Sequence, residues 1–362
     1  VTLAQIDAKD PSTCEPCHAT VVSEWRESLH AHAHHDRDPI YAGVRTLRMK
    51  REGEAVAASC AGCHHPGDVE RFDSAAAQVG VGCATCHQAD AVRKLHGIAE
   101  FEGAANAMLG PHDLPSGRSP VHGTGNAPAH MKDGATLCLS CHGELSTAKG
   151  LPQCTTGPEW RRVEPYVETC VGCHMETVQA PSGSASTRQT HRSHHFAGPV
   201  RAWLHGDDTV LRKSVKLSAV LEGAELSVIL ENGGGHSFPS GFPARTAVVR
   251  AIGFAESGAE VWKSASNDPM EESPQAVLTK VYVDAAGEPT LAPFAEKLAR
   301  DSRLDPAETK IVTFEVPPEV TRAEVELLFF LMPQRLAKVL KLEEHPLASP
   351  KVIARKAVTR VQ

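Results

Sequence analysis

Cys14-Glu15-Pro16-Cys17-His18 decides how the chain is read, because its five-residue form returns four times. The copies are Cys60-Ala61-Gly62-Cys63-His64, Cys83-Ala84-Thr85-Cys86-His87, Cys138-Leu139-Ser140-Cys141-His142 and Cys170-Val171-Gly172-Cys173-His174. Two thiols separated by two residues on a tight turn can each form a thioether to one vinyl group of the same porphyrin. The next residue then sets its imidazole beneath the iron, which is the attachment signature of a c-type haem. Far fewer than one such match would arise by chance in 362 residues with 11 Cys and 20 His. Structural zinc also uses CxxC knuckles, but it needs them in pairs and gives no reason for a histidine after every one. The reading is therefore five covalently bound c-type haems. Their thioether donors are Cys14, Cys17, Cys60, Cys63, Cys83, Cys86, Cys138, Cys141, Cys170 and Cys173, and their proximal ligands are His18, His64, His87, His142 and His174.

Outward from the motifs, the distribution is lopsided. All five motifs precede residue 206, as do all histidines except His236 and His345, so the expected domains are residues 1–205 and 206–362. Haem attachment uses ten of the eleven cysteines, which leaves Cys154 alone and excludes an internal disulfide. A net charge of -7 argues against a nucleic-acid partner. No apolar run approaches the roughly 20 residues of a membrane-spanning helix. The chain opens at Val1 without a charged or apolar leader, which is read as the mature form of an exported, periplasmic or extracellular protein.

In the first half, porphyrins should replace side chains as core material, so short helices and long loops are expected. Val22, Trp25 and Leu29 recur at helical spacing and predict a helix over residues 19–29, followed by a second over 47–58. Gly and Pro make 110–128 a loop, and 182–187 reads as a small flexible segment with no evident function. Thirteen histidines of this half remain after the proximal five, enough for a second imidazole on every iron. Methionine is the weaker choice: Met175 follows His174 directly and cannot reach the opposite haem face, and nothing singles out Met108 or Met131.

The stretch from Cys14 to Ala33, with Trp25, Ser28, His30 and Ala31, resembles the opening of the cytochrome c554-like multihaem cytochromes. The resemblance continues through Gly82 to His87, Gly110-Pro111, Ser119-Pro120-Val121-His122 and Leu137 to His142. It resumes at Cys170 to Met175 and at His191 to Gly198. It implies a chain of closely stacked, mostly bis-histidine haems. Carried over by position, it implies His30, His122 and His194 as distal ligands. His96, nine residues after His87, is a fourth candidate, and the fifth stays open among His34, His112, His130 and His191.

The second half changes to alternation. Val215, Leu217 and Ala219 define one strand and Leu226, Val228 and Leu230 the next, and the same period runs through Val248, Arg250, Ile252 and Phe254 and through Val325, Leu327 and Phe329. An immunoglobulin-like antiparallel β-sandwich is expected. The loop 232–245 is rich in glycine and proline and carries His236 and Arg245. These two residues are read first as braces of the loop, and alternatively as facing the haem half, with His236 on an iron or a propionate.

Two functions compete. Two axial imidazoles leave an iron no open position and minimise rearrangement on electron gain or loss, which suits a relay between donor and acceptor proteins, either alone or as a self-assembling extracellular subunit. The alternative is a reductase or oxidase of a small nitrogen or sulfur compound, which needs one iron with a vacant face and polar groups that deliver protons. Every motif has the standard form and spare histidines outnumber irons, which favours the relay and places catalysis second.

Overall fold

The computed structural model describes residues 7–92, 101–103, 107–115, 119 and 121–361. The chain forms two compact units, Val1–Glu144 with Glu168–Arg201, and Leu145–Val167 with Ala202–Gln362. The division differs from one at residue 205 by residues 145–167 and 202–205, which both belong to the second unit. Residues 145–167 contain no CxxCH motif, and they pack with the second unit. The Tyr282 hydroxyl donates to the Pro152 carbonyl, the Lys280 ammonium reaches the Gln153 carbonyl (3.2 Å) and Thr155 Oγ1 (3.1 Å), and Leu151 packs on Tyr282, Ala292 and Ala295.

The first unit is built from short helices. Helix α1 (Glu15–Arg26) grows directly out of the first motif, with a break in helical geometry at His18. It buries Val22 and Trp25, each worth about 1.5–3 kcal/mol of apolar transfer. It stops at Arg26, three residues short of the expected end, where Ser28 Oγ turns back to the Trp25 carbonyl (2.7 Å). Helix α2 (Pro39–Glu52) is capped by Asp38, whose carboxylate accepts from the Ile40 and Tyr41 amides. The expected helix over 47–58 is two helices, because Gly53 takes a φ of +92° and separates α2 from Glu54–Ala58.

In the second unit, eleven strands after residue 214 are labelled β1 (Val215–Glu222), β2 (Glu225–Asn232), β3 (Thr246–Phe254), β4 (Glu260–Lys263), β5 (Val277–Leu278), β6 (Lys280–Val283), β7 (Pro289–Thr290), β8 (Lys297–Asp301), β9 (Thr309–Glu315), β10 (Arg322–Phe330) and β11 (Lys351–Val361). Eight of them form one hydrogen-bonded sheet in the order β4-β3-β10-β11-β1-β2-β9, with β5 also paired to β3. Its two antiparallel arms meet where the end of β11 runs parallel to β1, Arg360 opposite Leu221. A three-stranded sheet, β7-β6-β8, stands apart in hydrogen bonding. The substantial β content agrees with expectation, but the strands follow one continuous path rather than two separately bonded sheets. On β1 and β2 the expected apolar face holds, with Leu221, Leu226, Val228 and Leu230 fully buried. On β3 the more deeply buried series is Ala247, Val249, Ala251 and Gly253, the parity opposite to the bulkier residues that suggested the strand. Gly253 is obligatory there, since a Cβ would lie 2.7 Å from the Val320 side chain.

Candidate haem-attachment sites

Each motif lies on a short helix: at the start of α1, on Ala61–His64, on Cys83–His87, on Thr136–His142 and on Cys170–His174. The turn closes through hydrogen bonds from the histidine amide to the first cysteine's carbonyl, 2.9 Å for His18 to Cys14 and 3.1 Å for His64 to Cys60. Four proximal rings are then aimed by the same device. Nδ1 of His18 donates to the Ser182 carbonyl (2.7 Å), that of His64 to Ala33 (3.1 Å), that of His87 to Leu109 (2.6 Å), and that of His174 to Ala197. A ring that donates from Nδ1 keeps its lone pair on Nε2, the tautomer that axial ligation requires. Two of these supports are reciprocal, because the Leu109 amide donates back to the His87 carbonyl (2.6 Å) and the Ala197 amide to that of His174 (2.9 Å). Segment 182–187, without a role in the sequence reading, supplies the acceptor for His18, and a Cβ on Gly183 would sit 2.7 Å from His18 Nδ1.

Across from three proximal rings stands a second imidazole. Ring centres are 6.4 Å apart for His18 and His122, 6.2 Å for His142 and His30, and 6.2 Å for His87 and His194. A metal–nitrogen bond of about 2 Å, with roughly 1.1 Å from nitrogen to ring centre, puts two imidazoles that share a metal about 6.2 Å apart. The separations therefore fit an iron between each pair. His122 and His194 also donate from Nδ1, to the Gly123 carbonyl (2.9 Å) and the Arg192 carbonyl (2.8 Å). Burial, reinforced by neighbouring imidazoles, drives His30 and His194 down to about 3, so both are neutral donors at neutral pH. Burial also lowers His64 and His87.

The facing imidazoles are held by elements that carry no sequence signature. The His30 carbonyl accepts from the Val81 amide (2.9 Å), and Trp25 Nε1 donates to the Val81 carbonyl (2.8 Å), which ties the His30 turn to the segment leading into Cys83. Gly80, at φ +74°, allows this approach; a Cβ there would be 2.5 Å from the His30 carbonyl. Buried Glu24 on α1 accepts from the His194 amide (2.9 Å) and from His191 Nε2 (3.1 Å). Phe196, in the left-handed region at φ 48°, packs its ring on His30 (4.2 Å) and His194 (5.6 Å).

The other candidates are placed differently. His191 engages both nitrogens, with Nδ1 on the Ala180 carbonyl (2.8 Å) and Nε2 on Glu24. His130 is buried with Nε2 3.2 Å from the Ala89 carbonyl, and His112 is exposed. His34 is buried beside His35 and His65. His236 belongs to the second unit, where Nδ1 lies 3.1 Å from its neighbour Ser237's carbonyl. His96 lies outside the described residues. The ring against His64 is that of Tyr41, stacked at 3.8 Å and 16°.

The motifs are contiguous. Cys14 lies beside Cys83, Cys63 beside Cys141 and Cys138 beside Cys170, and Cys86 also lies near Cys141. The fourth motif thus adjoins the second, third and fifth. Cys154 is half-buried in the second unit, and desolvation raises its thiol above the ordinary range. Among the described residues, no helix is long and apolar enough to cross a membrane.

Residues 13–88 match the family model for cytochrome c554 and c-prime. No curated protein sequence matches the chain. Its fold is similar to that of a penta-heme cytochrome c552 from Thermochromatium tepidum, with a TM-score of 0.81 over 99% of this chain and 100% of that one at 20% identity. Five attachment motifs with aimed imidazoles, a family match across the first three and this fold together make the chain a multihaem c-type cytochrome with five covalently bound haems and an additional β-rich unit.

Proposed function

We propose that the protein is an exported electron relay of the periplasm or cell exterior, passing electrons between redox partner proteins through mostly bis-histidine haems. The observation that carries this reading is the set of three imidazole pairs at 6.2–6.4 Å. The haems supply the one-electron chemistry. The chain's own contribution is to fix both axial ligands with backbone carbonyls, so that little has to move when charge changes, and to set five attachment motifs against one another. The second unit, whose two sheet arms we read as an immunoglobulin-like sandwich, serves as the docking or assembly surface. Replacing His122, His30 or His194 singly by Ala tests the assignment. Each variant should turn one of the five irons high-spin in the oxidised state, and variants that leave the spin state unchanged would overturn the ligation.

A second reading has its own observation, at the second motif. The Tyr41 hydroxyl and Arg45 Nε are buried without hydrogen-bond partners. Burial raises the Tyr41 hydroxyl's pKa against the opposing charge of Arg45, and Arg48 contacts Cys60. A proton donor and fixed cations beside one haem suit reduction of a small nitrogen or sulfur oxyanion. Binding of nitrite or sulfite to one iron, abolished in Tyr41→Phe or Arg45→Ala, would favour this reading; unchanged spectra at millimolar anion would exclude it.

A further inference from the structure

Beside the second attachment motif lies a group of imidazoles that none of the three facing pairs uses. His34 and His65 are fully buried and His35 half-buried, and one ring nitrogen from each lies within 4.8 Å of one from each of the others. Their tautomers are set from outside the group. His34 Nε2 donates to the Phe72 carbonyl (2.9 Å), which leaves the lone pair on Nδ1; that Nδ1 accepts from the Asp36 amide (3.3 Å). His65 Nδ1 donates to the Asp68 carbonyl (3.1 Å), which leaves the lone pair on Nε2, and that Nε2 is buried with no partner. His35 Nδ1 is likewise buried without a partner. A buried ring nitrogen without a partner is costly to leave unmet, and the group holds two of them.

The Asp36 carboxylate closes the set. Its oxygens lie 3.3 Å from His34 Nδ1 and 3.6 Å from His35 Nε2. With the His34 proton on Nε2, a lone pair faces a carboxylate oxygen across that 3.3 Å, a contact that a cation would turn from repulsive to favourable. Imidazoles whose far N–H is anchored on a backbone carbonyl, converging with one carboxylate, have the first and outer shells of a transition-metal site. An open groove of ≈ 610 Å³, lined by His35, Arg45, Glu54, Glu70, Phe72 and Asp73 among others, leads from solvent to the group.

We propose that His34, His35 and His65, with Asp36 as fourth ligand, bind one divalent transition-metal ion of the zinc or copper class, separate from the haem irons. Imidazole donors select that class over magnesium or calcium. The test uses the holo-cytochrome, stripped with a chelator, dialysed against micromolar zinc and analysed for zinc and iron together. One zinc per five irons is expected, with zinc-edge X-ray absorption showing three imidazole nitrogens at about 2.0 Å. His35→Ala, which touches neither the proximal histidines nor the imidazoles that face them, should keep its iron content and bind zinc at least tenfold more weakly. Wild-type protein that retains no zinc, an absorption spectrum without multiple imidazoles, or equal zinc binding by His35→Ala would each overturn the proposal. The absorption measurement decides on wild-type protein alone should the variant fail to assemble.

Discussion

Glu24 gives the sharpest mutational test, because one buried carboxylate holds two elements of the first unit. Its Oε2 accepts from the His194 amide at 2.9 Å, and its two oxygens lie 3.1 and 3.2 Å from His191 Nε2. Glu24→Gln keeps the shape but replaces one acceptor oxygen by an amide that can only donate, so one charge-assisted bond is lost, about 1.5–3 kcal/mol. Glu24→Ala leaves both donors buried and unpaired, about 1–3 kcal/mol for each. Because the His194 amide is one of those donors, Ala should also loosen the imidazole that faces His87. Guanidinium unfolding followed by far-ultraviolet circular dichroism gives the stability change. Electron paramagnetic resonance of the oxidised protein gives the fate of the ligand, with one of five irons moving to high spin in Glu24→Ala and less in Glu24→Gln. Two variants of equal stability to wild type, or a destabilised Glu24→Ala with its low-spin intensity intact, would refute the claim that this carboxylate positions His194.

Other expectations are more local. Gly80→Ala forces a non-glycine residue to φ +74°, about 1–2 kcal/mol, and drives its Cβ toward the His30 carbonyl; it should weaken ligation by His30, read as partial high-spin character. Gly183→Ala crowds His18 Nδ1 at 2.7 Å and should perturb the first haem while leaving its covalent attachment intact, which absorbance of the denatured haem peptide would verify. In the second unit, burial pushes the Glu159 carboxyl up, but Arg303 and the hydroxyls of Thr155 and Ser240 outweigh it and hold the group at about 2. An unfolded glutamate titrates near 4.3, so its contribution is present above that value and is lost as pH falls towards 2. Glu159→Gln should therefore cost about 3 kcal/mol at pH 7, near the lower end for a buried pair because Asp301 still holds Arg303, and the deficit should shrink at pH 3 in urea titrations.

What could be read from the sequence divides along a physical line. The attachment sites are contiguous five-residue patterns whose chemistry is local, so all five motifs were visible. The resemblance points to His30, His122 and His194, but not to the ring that each faces. Pairing is a long-range fact: His142 meets a histidine from the other end of the unit, and no spacing encodes it. The supports were invisible for a related reason. Ser182, Leu109 and Ala197 act through backbone carbonyls, which every residue has, and Glu24 looks like any solvent-facing helix residue until His191 is folded against it. In the β unit, alternation located the strands, yet on β3 large side chains pointed to the wrong face, since the tightly packed side there is made of Ala, Val and Gly. Counting motifs puts segment 145–167 in the first half, because it lies between the fourth and fifth motifs, whereas its contacts group it with the second unit.

The central claim, that imidazole pairs hold the irons of an electron relay, is tested most directly by the electron paramagnetic resonance spectrum of the fully oxidised protein, normalised to haem content. The three pairs predict low-spin intensity equivalent to at least three of the five irons. High-spin intensity from three or more irons would contradict the account.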